Sequence, residues 1–336
     1  MRDLIVVFFV TVLAIECGIR PVSAEQTSDL LRQIQVIPLK GVEGRIDHFG
    51  LDATGKRLFV AALGNDTAEV VDLATGKVTE RIKALRTPQG ISFAQESNRL
   101  AIANDGDGSV RLYDGNSLKE LGAVDLKEGA DNVRYDAKAR RFWVGYGDGG
   151  LAAIDPATAT LVADIKLESH PESFQLEAAG RRIFVNVTKA GHIAVIDREQ
   201  RTVIAKWPVA GAASNFPMAL DESNHRLFIG CRTPAKLLVL DTETGKTVAG
   251  IEIVEDTDDV FYDPVNKRLY VSGGGGHITV ITQADANTYT VAGQVATAAG
   301  ARTSFFVPGT GMLYVAVPHR GNQNAELRVF KTEPKK

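Results

Sequence analysis

One stretch, lightly varied, returns seven times along this chain of 336 residues. GLDATGKRLFVAAL begins at Gly50, and close relatives begin at Tyr135 (YDAKARRFWVGYG), Leu220 (LDESNHRLFIGCR) and Tyr262 (YDPVNKRLYVSGG). Weaker copies begin at Ala94, Leu176 and Val307. With Asp52 as the mark, its equivalents are Gln95, Asp136, Glu177, Asp221, Asp263 and Pro308, at steps of 43, 41, 41, 44, 42 and 45 residues. Units of about 40 residues cannot bury their own apolar faces, so each must lean on its neighbours. Alternating Val, Ile, Leu and Phe in every copy predicts an all-β fold. It is a seven-bladed β-propeller of four-stranded antiparallel blades.

Within the first unit the strands are expected at Arg45–Leu51, Arg57–Leu63, Ala68–Leu73 and Val78–Ile82, with ATGK turns between them. The glycine of such a turn takes the positive φ that a side chain would oppose. The seventh unit stops after its third strand, Ala325–Lys331. RQIQVIPLK, Arg32–Lys40, has the pattern of the closing strands KVTERIKAL and TLVADIKLE. The N-terminal strand is therefore expected to pair in the last blade and close the ring.

The chain opens with Arg2 and an apolar run from Leu4 to Ile15, too short to span a bilayer and of the length of a secretory h-region. VSA at Val22–Ala24 places cleavage after Ala24, and Glu16 before Cys17 argues against lipid attachment. Residues 1–24 thus read as a signal peptide and 25–336 as a single propeller domain, periplasmic or secreted. No membrane span is expected, and a monomer is. Removing the leader leaves Cys231 as the one cysteine, so no intramolecular disulfide is available. The formal net charge of −3 supplies no basic footprint for nucleic acid.

The units bearing RLFV, RLYV and DTETGK resemble the YVTN-repeat, YncE-like family of secreted seven-bladed propellers, and all seven repeats join the match. DNVRYD, HPESFQLE, NFPMALDE and GARTSFFVP look like one subgroup of that family. The resemblance implies the propeller and export. It says little about chemistry, because this fold hosts many unrelated functions.

In a propeller the first strand of each blade is innermost, and its start faces the mouth of the central channel, as does the loop between the second and third strands. GRIDHFGLD therefore sets Asp47 and His48 at the mouth. The equivalent positions and their neighbours bring Gln89, Asp131, Asn132, His170, Glu172, Asn215, Asp258, Asp259 and Arg302 to the same face. The loops add Asn104, Tyr146, Arg232, His277 and His319, and Arg45 precedes the first strand. Five of the six histidines, all but His225, map there, whereas the opposite face carries turn sequences. Strand ends are polar in any case; the asymmetry between faces is what favours a functional mouth. Residues adjacent in a strand point to opposite sides. Asp47 and His48 are thus expected to diverge and to find partners in other blades, foremost Glu172, Asp258, Asp259 and Arg302.

Other motifs lack their context. GYGDGG at Gly145–Gly150 spells a dinucleotide fingerprint, yet a strand follows it where a helix is required. NDGDGS at Asn104–Ser109 lacks the glutamate of a calcium loop, and no G-x-S-x-G, H-E-x-x-H or C-x-x-C-H is present.

Two functions remain open. The first is a binding module whose mouth takes a small polar ligand or a partner's loop, using Arg45, Gln89, Asn104, Asp131, Asn132, Tyr146, His170, Arg232, His277 and His319. The second is a lactone hydrolase of gluconolactonase type. Glu172, Asn215, Asp258 and Asp259 would then hold one divalent cation, Ca²⁺ or Mg²⁺, with Zn²⁺ also open. Asp47 or His48 would serve as general base, and Arg302 or Arg232 would steady the oxyanion. The segments themselves resemble the YncE-like subgroup rather than gluconolactonases. The exported protein is expected to begin at Glu25; an intact mass that still includes residues 1–24 would contradict the leader.

Overall fold

The computed structural model describes residues 30 to 334, so the expected signal peptide lies outside the described residues. Its strands form seven four-stranded antiparallel sheets. Six are consecutive in sequence, from Phe49–Leu51, Arg57–Ala62, Thr67–Asp72 and Lys77–Ile82 in blade one to Thr257–Asp263, Arg268–Gly273, His277–Gln283 and Tyr289–Ala296 in blade six. The seventh combines Ser304–Val307, Met312–Val317 and Glu326–Thr332 with Leu31–Pro38 from the other end of the chain. Closure by the N-terminal strand is thus present, with Leu31 opposite Thr332 and Pro38 opposite Glu326.

Alternation along the middle strands builds the core. In blade one Leu58, Val60 and Ala62 pack toward blade seven, while Phe59 and Ala61 pack toward blade two. Leu100 and Ile102 of blade two face blade one, and Ala101 and Ala103 face blade three. Each side chain obeys the two-residue period of a strand, so every interface between blades becomes one apolar layer. The six consecutive-blade layers and the layer between blades seven and one make seven.

The outer strands share a bulge. In blade three Ala153 pairs with Ala163 and Ile154 with Leu161, leaving Val162 unpaired. In the closing strand Gln33 pairs with Phe330 and Gln35 with Val329, leaving Ile34. The same offset leaves Leu121, Ile204 and Val248 unpaired in their blades. A bulge moves the side-chain parity by one residue. Leu31 therefore enters the layer with blade six and Ile37 the layer with blade one, although six positions separate them. It also explains why Ile34, Leu121, Ile204 and Val248 are large apolar residues left exposed.

Arginines at the start of second strands tie blades together on the turn face. Arg182 Nη1 donates to the Thr242 carbonyl at 2.6 Å, Arg226 Nε to Ala286 at 2.8 Å and Arg268 Nη1 to Glu333 at 2.6 Å. Arg57 reaches Gly115 in the same way. Each spans to the following blade, so the arginine of KRL, RRI and HRL is a latch as well as a strand residue.

Deleting residues 31–38 should strip the layers of Leu31 and Ile37 and bare the edge of Glu326–Thr332. Truncating such buried residues costs about 2–5 kcal/mol each, and an unpaired edge templates aggregation. The variant is expected to melt several degrees lower and to aggregate on storage; unchanged melting and solubility would refute closure by this strand.

Candidate functional site

The inner strands also bulge, at their mouth end. In blade three Ala130 pairs with Tyr146 and Val133 with Val144, so Asp131 and Asn132 occupy a space one residue too short. Blades two, four, five and six shift register at Pro88/Ile91, Pro171/Phe174, Asn215/Met218 and Thr257/Asp259. In blade one the Asp47 amide donates to the Ala61 carbonyl at 2.8 Å, and the Ala61 amide donates to the His48 carbonyl at 3.1 Å. Two residues thus oppose one, and the regular strand begins only at Phe49 rather than at Arg45. Bulges re-aim side chains. Here they turn Asp47, Gln89, Asp131, Glu172, Phe216 and Asp258 toward the axis. Gly90 permits the crowding, since a Cβ there would lie 2.2 Å from the Asp131 carbonyl oxygen.

These residues line a cavity of about 270 Å³ to which all seven blades contribute. Arg45, His48, Asn132, His170, Arg232 and Arg302 complete it, and Phe216 is its one apolar lining residue. The walls differ in charge. On one side Asp258 lies between Arg232 Nη2 and Arg302 Nε, the latter at 2.9 Å, while Asp256 sits 3.1 Å from Arg302 Nη1. Arg232 also lies over the Phe216 ring, 3.7 Å from its centroid. Arg45 pairs with Asp47 at 2.9 Å.

The facing wall holds Asp131, Asn132, His170 and Glu172 and no arginine. His170 Nδ1 lies 2.6 Å from the Gly147 carbonyl oxygen, and its Nε2 lies 3.4 Å from Asp131 Oδ2. The hydrogen bond with Asp131 chiefly raises the imidazole, to about 9, against the opposing effect of burial. Burial, with the charge of Asp131 behind it, pushes Glu172 up to about 7.

Beneath the mouth lies a second chamber of about 430 Å³, lined by Arg134, Gln175, Asp259 and phenylalanines that include Phe49, Phe93, Phe261 and Phe305. His48 borders both chambers. It stands 3.5 Å from Asp47 and 3.7 Å from Asp259, whose carboxylate accepts the Ser304 amide at 2.8 Å. The expected divergence of Asp47 and His48 is therefore corrected: the bulge removes the alternation on which it rested. Of the expected partners, Asp259 approaches His48, whereas Asp258 and Arg302 are engaged with each other and Glu172 lies on the acidic wall.

The four residues expected around one cation are dispersed. Asn215 is buried and donates to Asn186 Oδ1 at 2.9 Å, Asp258 is taken by two arginines, and Asp259 faces the lower chamber. Four expected ligand-binding residues also stand outside the mouth cavity. Asn104 is fully buried and accepts the Arg86 amide at 3.0 Å, and Tyr146 binds Asp164 at 2.8 Å. His319 pairs with Glu43 at 2.7 Å, and His277 begins a third strand. Of the residues expected from the loops between second and third strands, only Arg232 reaches the cavity, where it lies over Phe216 and pairs with Asp258; the other four bond within or beside their own blades or stay outside it. Arg134 and Asp256 were not anticipated. The apolar–polar alternation of DNVRYD could have pointed Arg134 into the channel; nothing local marks Asp256.

Burial raises Asp259 to about 7 from an ordinary 3.8. For His48 burial opposes protonation, but the charges of Asp47 and Asp259 outweigh it and the imidazole is raised. Both groups then bind protons more tightly folded than unfolded, so stability falls as pH rises, from about pH 4 to about pH 7 for Asp259 and above the ordinary 6.5 for His48. Asp259→Asn removes one such group. Its stability relative to wild type should grow from about pH 4 to about pH 7, by at most about 1.4 kcal/mol per pH unit, and then level off. Urea melts across that range measure it, and parallel curves for the two proteins would exclude the shift.

No family model matches the chain. YncE from Salmonella typhimurium is 22% identical over 240 residues, spanning 66% of this chain and 67% of that protein. YncE from Escherichia coli O157:H7 is 24% identical over 174 residues, 46% of this chain and 49% of that one. Both are described as uncharacterized, so no activity comes with the likeness. Among solved structures, a chain of the mitotic checkpoint complex superposes with a TM-score of 0.76 at 11% identity, covering 99% of both chains. The RRP9 WD40 repeats give 0.77 at 8% identity, over 89% of this chain and 97% of theirs. A chain of Kuenenia stuttgartiensis hydrazine synthase gives 0.73 at 15% identity, over 88% and 99%. At these identities the structures share the fold alone. Seven blades closed by the N-terminal strand make this chain a β-propeller, and its sequence is similar to that of the YncE proteins.

Proposed function

We propose that the protein binds a small polar ligand in the cavity at the mouth of its channel. The observation that supports this reading most directly is the lining: eleven of its twelve residues are charged or polar and converge from every blade. Fold stability does not require such convergence, because the apolar layers between blades already hold the ring. A volume of about 270 Å³ suits a molecule of modest size rather than a polymer. One wall offers carboxylates and the other arginines, an arrangement complementary to a ligand carrying separated charges or several hydroxyls. Residues 1–24, read as an export signal, favour a place of action outside the cytoplasm.

The lactonase alternative needs Glu172, Asn215, Asp258 and Asp259 around one cation. Their dispersal removes that support.

Thermal-shift screening of the full mature chain, in chelator, against amino acids, hydroxy acids, polyamines and sugars tests the reading. A ligand at a hundred times its Kd stabilises by about 2.7 kcal/mol. Glu172→Gln and Arg302→Gln, on opposite walls, should each cut the shift by at least half. A stabiliser that acts equally on wild type and both variants binds elsewhere and would defeat the assignment.

A further inference from the structure

We infer that Asp131, His170 and Glu172 form a site for one divalent transition-metal ion of the zinc type. This deepens the reading of the mouth as a binding site and rests on it. One ligand atom from each of the three lies within 4.8 Å of the others. His170 Nε2 and Asp131 Oδ2, at 3.4 Å, already have the separation of two ligands on a tetrahedral zinc, about 3.3 Å for bonds near 2.0–2.1 Å.

Two observations beyond the cluster point to a cation. First, Asn132 is 3% exposed, lines the same cavity, and its Oδ1 has no hydrogen-bond partner among the described residues. Its amide nitrogen faces Asp131 Oδ1 at 3.3 Å, which leaves Oδ1 as a spare oxygen donor beside the carboxylates. A buried acceptor without a donor is costly, and a bound cation would satisfy it. Second, His170 Nδ1 is held at 2.6 Å by the Gly147 carbonyl. A ring that donates from Nδ1 turns the Nε2 lone pair inward, as metal-binding histidines do when a second group fixes their tautomer.

Charge agrees with this. The mouth's arginines are engaged on the other wall, Arg232 and Arg302 with Asp258 and Arg45 with Asp47. Two carboxylates and a neutral imidazole leave two negative charges for a divalent ion to neutralise. An imidazole nitrogen beside two carboxylates suits zinc and its first-row neighbours, whereas calcium and magnesium prefer oxygen alone. His170 also borders an outer hollow with Asp105, Glu128, Asp148 and Lys189, acidic on balance, which would concentrate cations at the rim.

The full mature chain, stripped with chelator and dialysed, should take up one equivalent of Zn²⁺ in calorimetry, and millimolar Ca²⁺ or Mg²⁺ should not displace it. Glu172→Gln and His170→Ala should weaken uptake at least about tenfold. His319→Ala, outside the cavity, should bind as wild type does. Should His170→Ala fail to fold, the near-isosteric Glu172→Gln carries the comparison, and Co²⁺ in the wild type should give visible bands of a four-coordinate ion that the glutamine variant lacks. No uptake by the wild type, or uptake unchanged in Glu172→Gln, would overturn the site. Organic-ligand shifts recorded in chelator separate the two readings. If they persist without zinc uptake, the metal site falls and the ligand pocket stands.

Discussion

The apolar layer between neighbouring blades is the interaction on which everything else here depends. A middle strand such as Arg57–Ala62 sends alternate side chains to the blade before it and the blade after it. Neither set has a partner within its own sheet, so one blade alone would leave both faces wet. Only a closed ring buries all of them, and closure needs a fourth strand in the last sheet. The segment Leu31–Pro38 supplies it, with the same bulge that the other outer strands carry. The arginine latches then act on the turn face, where carbonyl groups would otherwise face solvent. They refine the spacing of blades that burial has already brought together.

That packing also shapes the mouth. Inner strands converge on an axis, where there is no room for seven full side chains at each level. Gly50 and Gly90 show the crowding: a Cβ on Gly50 would meet Ile91 at 2.6 Å, and one on Gly90 would meet the Asp131 carbonyl. Bulges relieve it by lifting one residue per strand out of register and turning it toward the channel. Polar residues fill these places because they border water at one end and hydrogen-bond donors at the other. The result is a ring of fixed charges whose spacing is set by backbone packing rather than by mutual attraction.

Much of this was legible in the chain itself. Seven recurrences of a strand pair identified the propeller, and the missing last strand identified its donor. Asp47, Asp131, Glu172, Asp258, Arg232 and Arg302 were also traceable to the mouth, because equivalent positions in a repeat occupy equivalent places. What failed was finer geometry. Alternation predicted that Asp47 and His48 would part, yet a bulge, invisible in composition, sets them 3.5 Å apart. Asn104 looked like a ligand-face loop residue, but its amide closes its own loop on Ser109 and Arg86. Asp258 and Asp259 looked like a pair of metal ligands. The blade-six bulge leaves Asp258 unpaired beside Asp259, and the two go instead to different chambers, one to arginines and one to His48.

The balance of charge across the mouth follows from which blades carry arginine. Blades five and seven each place one against Asp258, and Arg45 meets the acid of its own blade. Blades three and four place no arginine among the residues lining the mouth; Arg134 of blade three lines the chamber beneath, and His170 is the basic group closest to Asp131 and Glu172 within their wall. In a flexible surface loop two such carboxylates would swing apart and hydrate. Here each is rooted in an inner-strand bulge of a closed ring, and separation would require the layers between blades to open. Rigid packing of that kind transmits little relief. The charge must therefore be met in place, and burial and neighbouring charge raise both Glu172 and His170 toward protonation. A proton and a cation would answer the same electrostatic demand, so the cation proposed for this wall would take the place of protons, whereas the wall opposite already has its carboxylates matched by arginines.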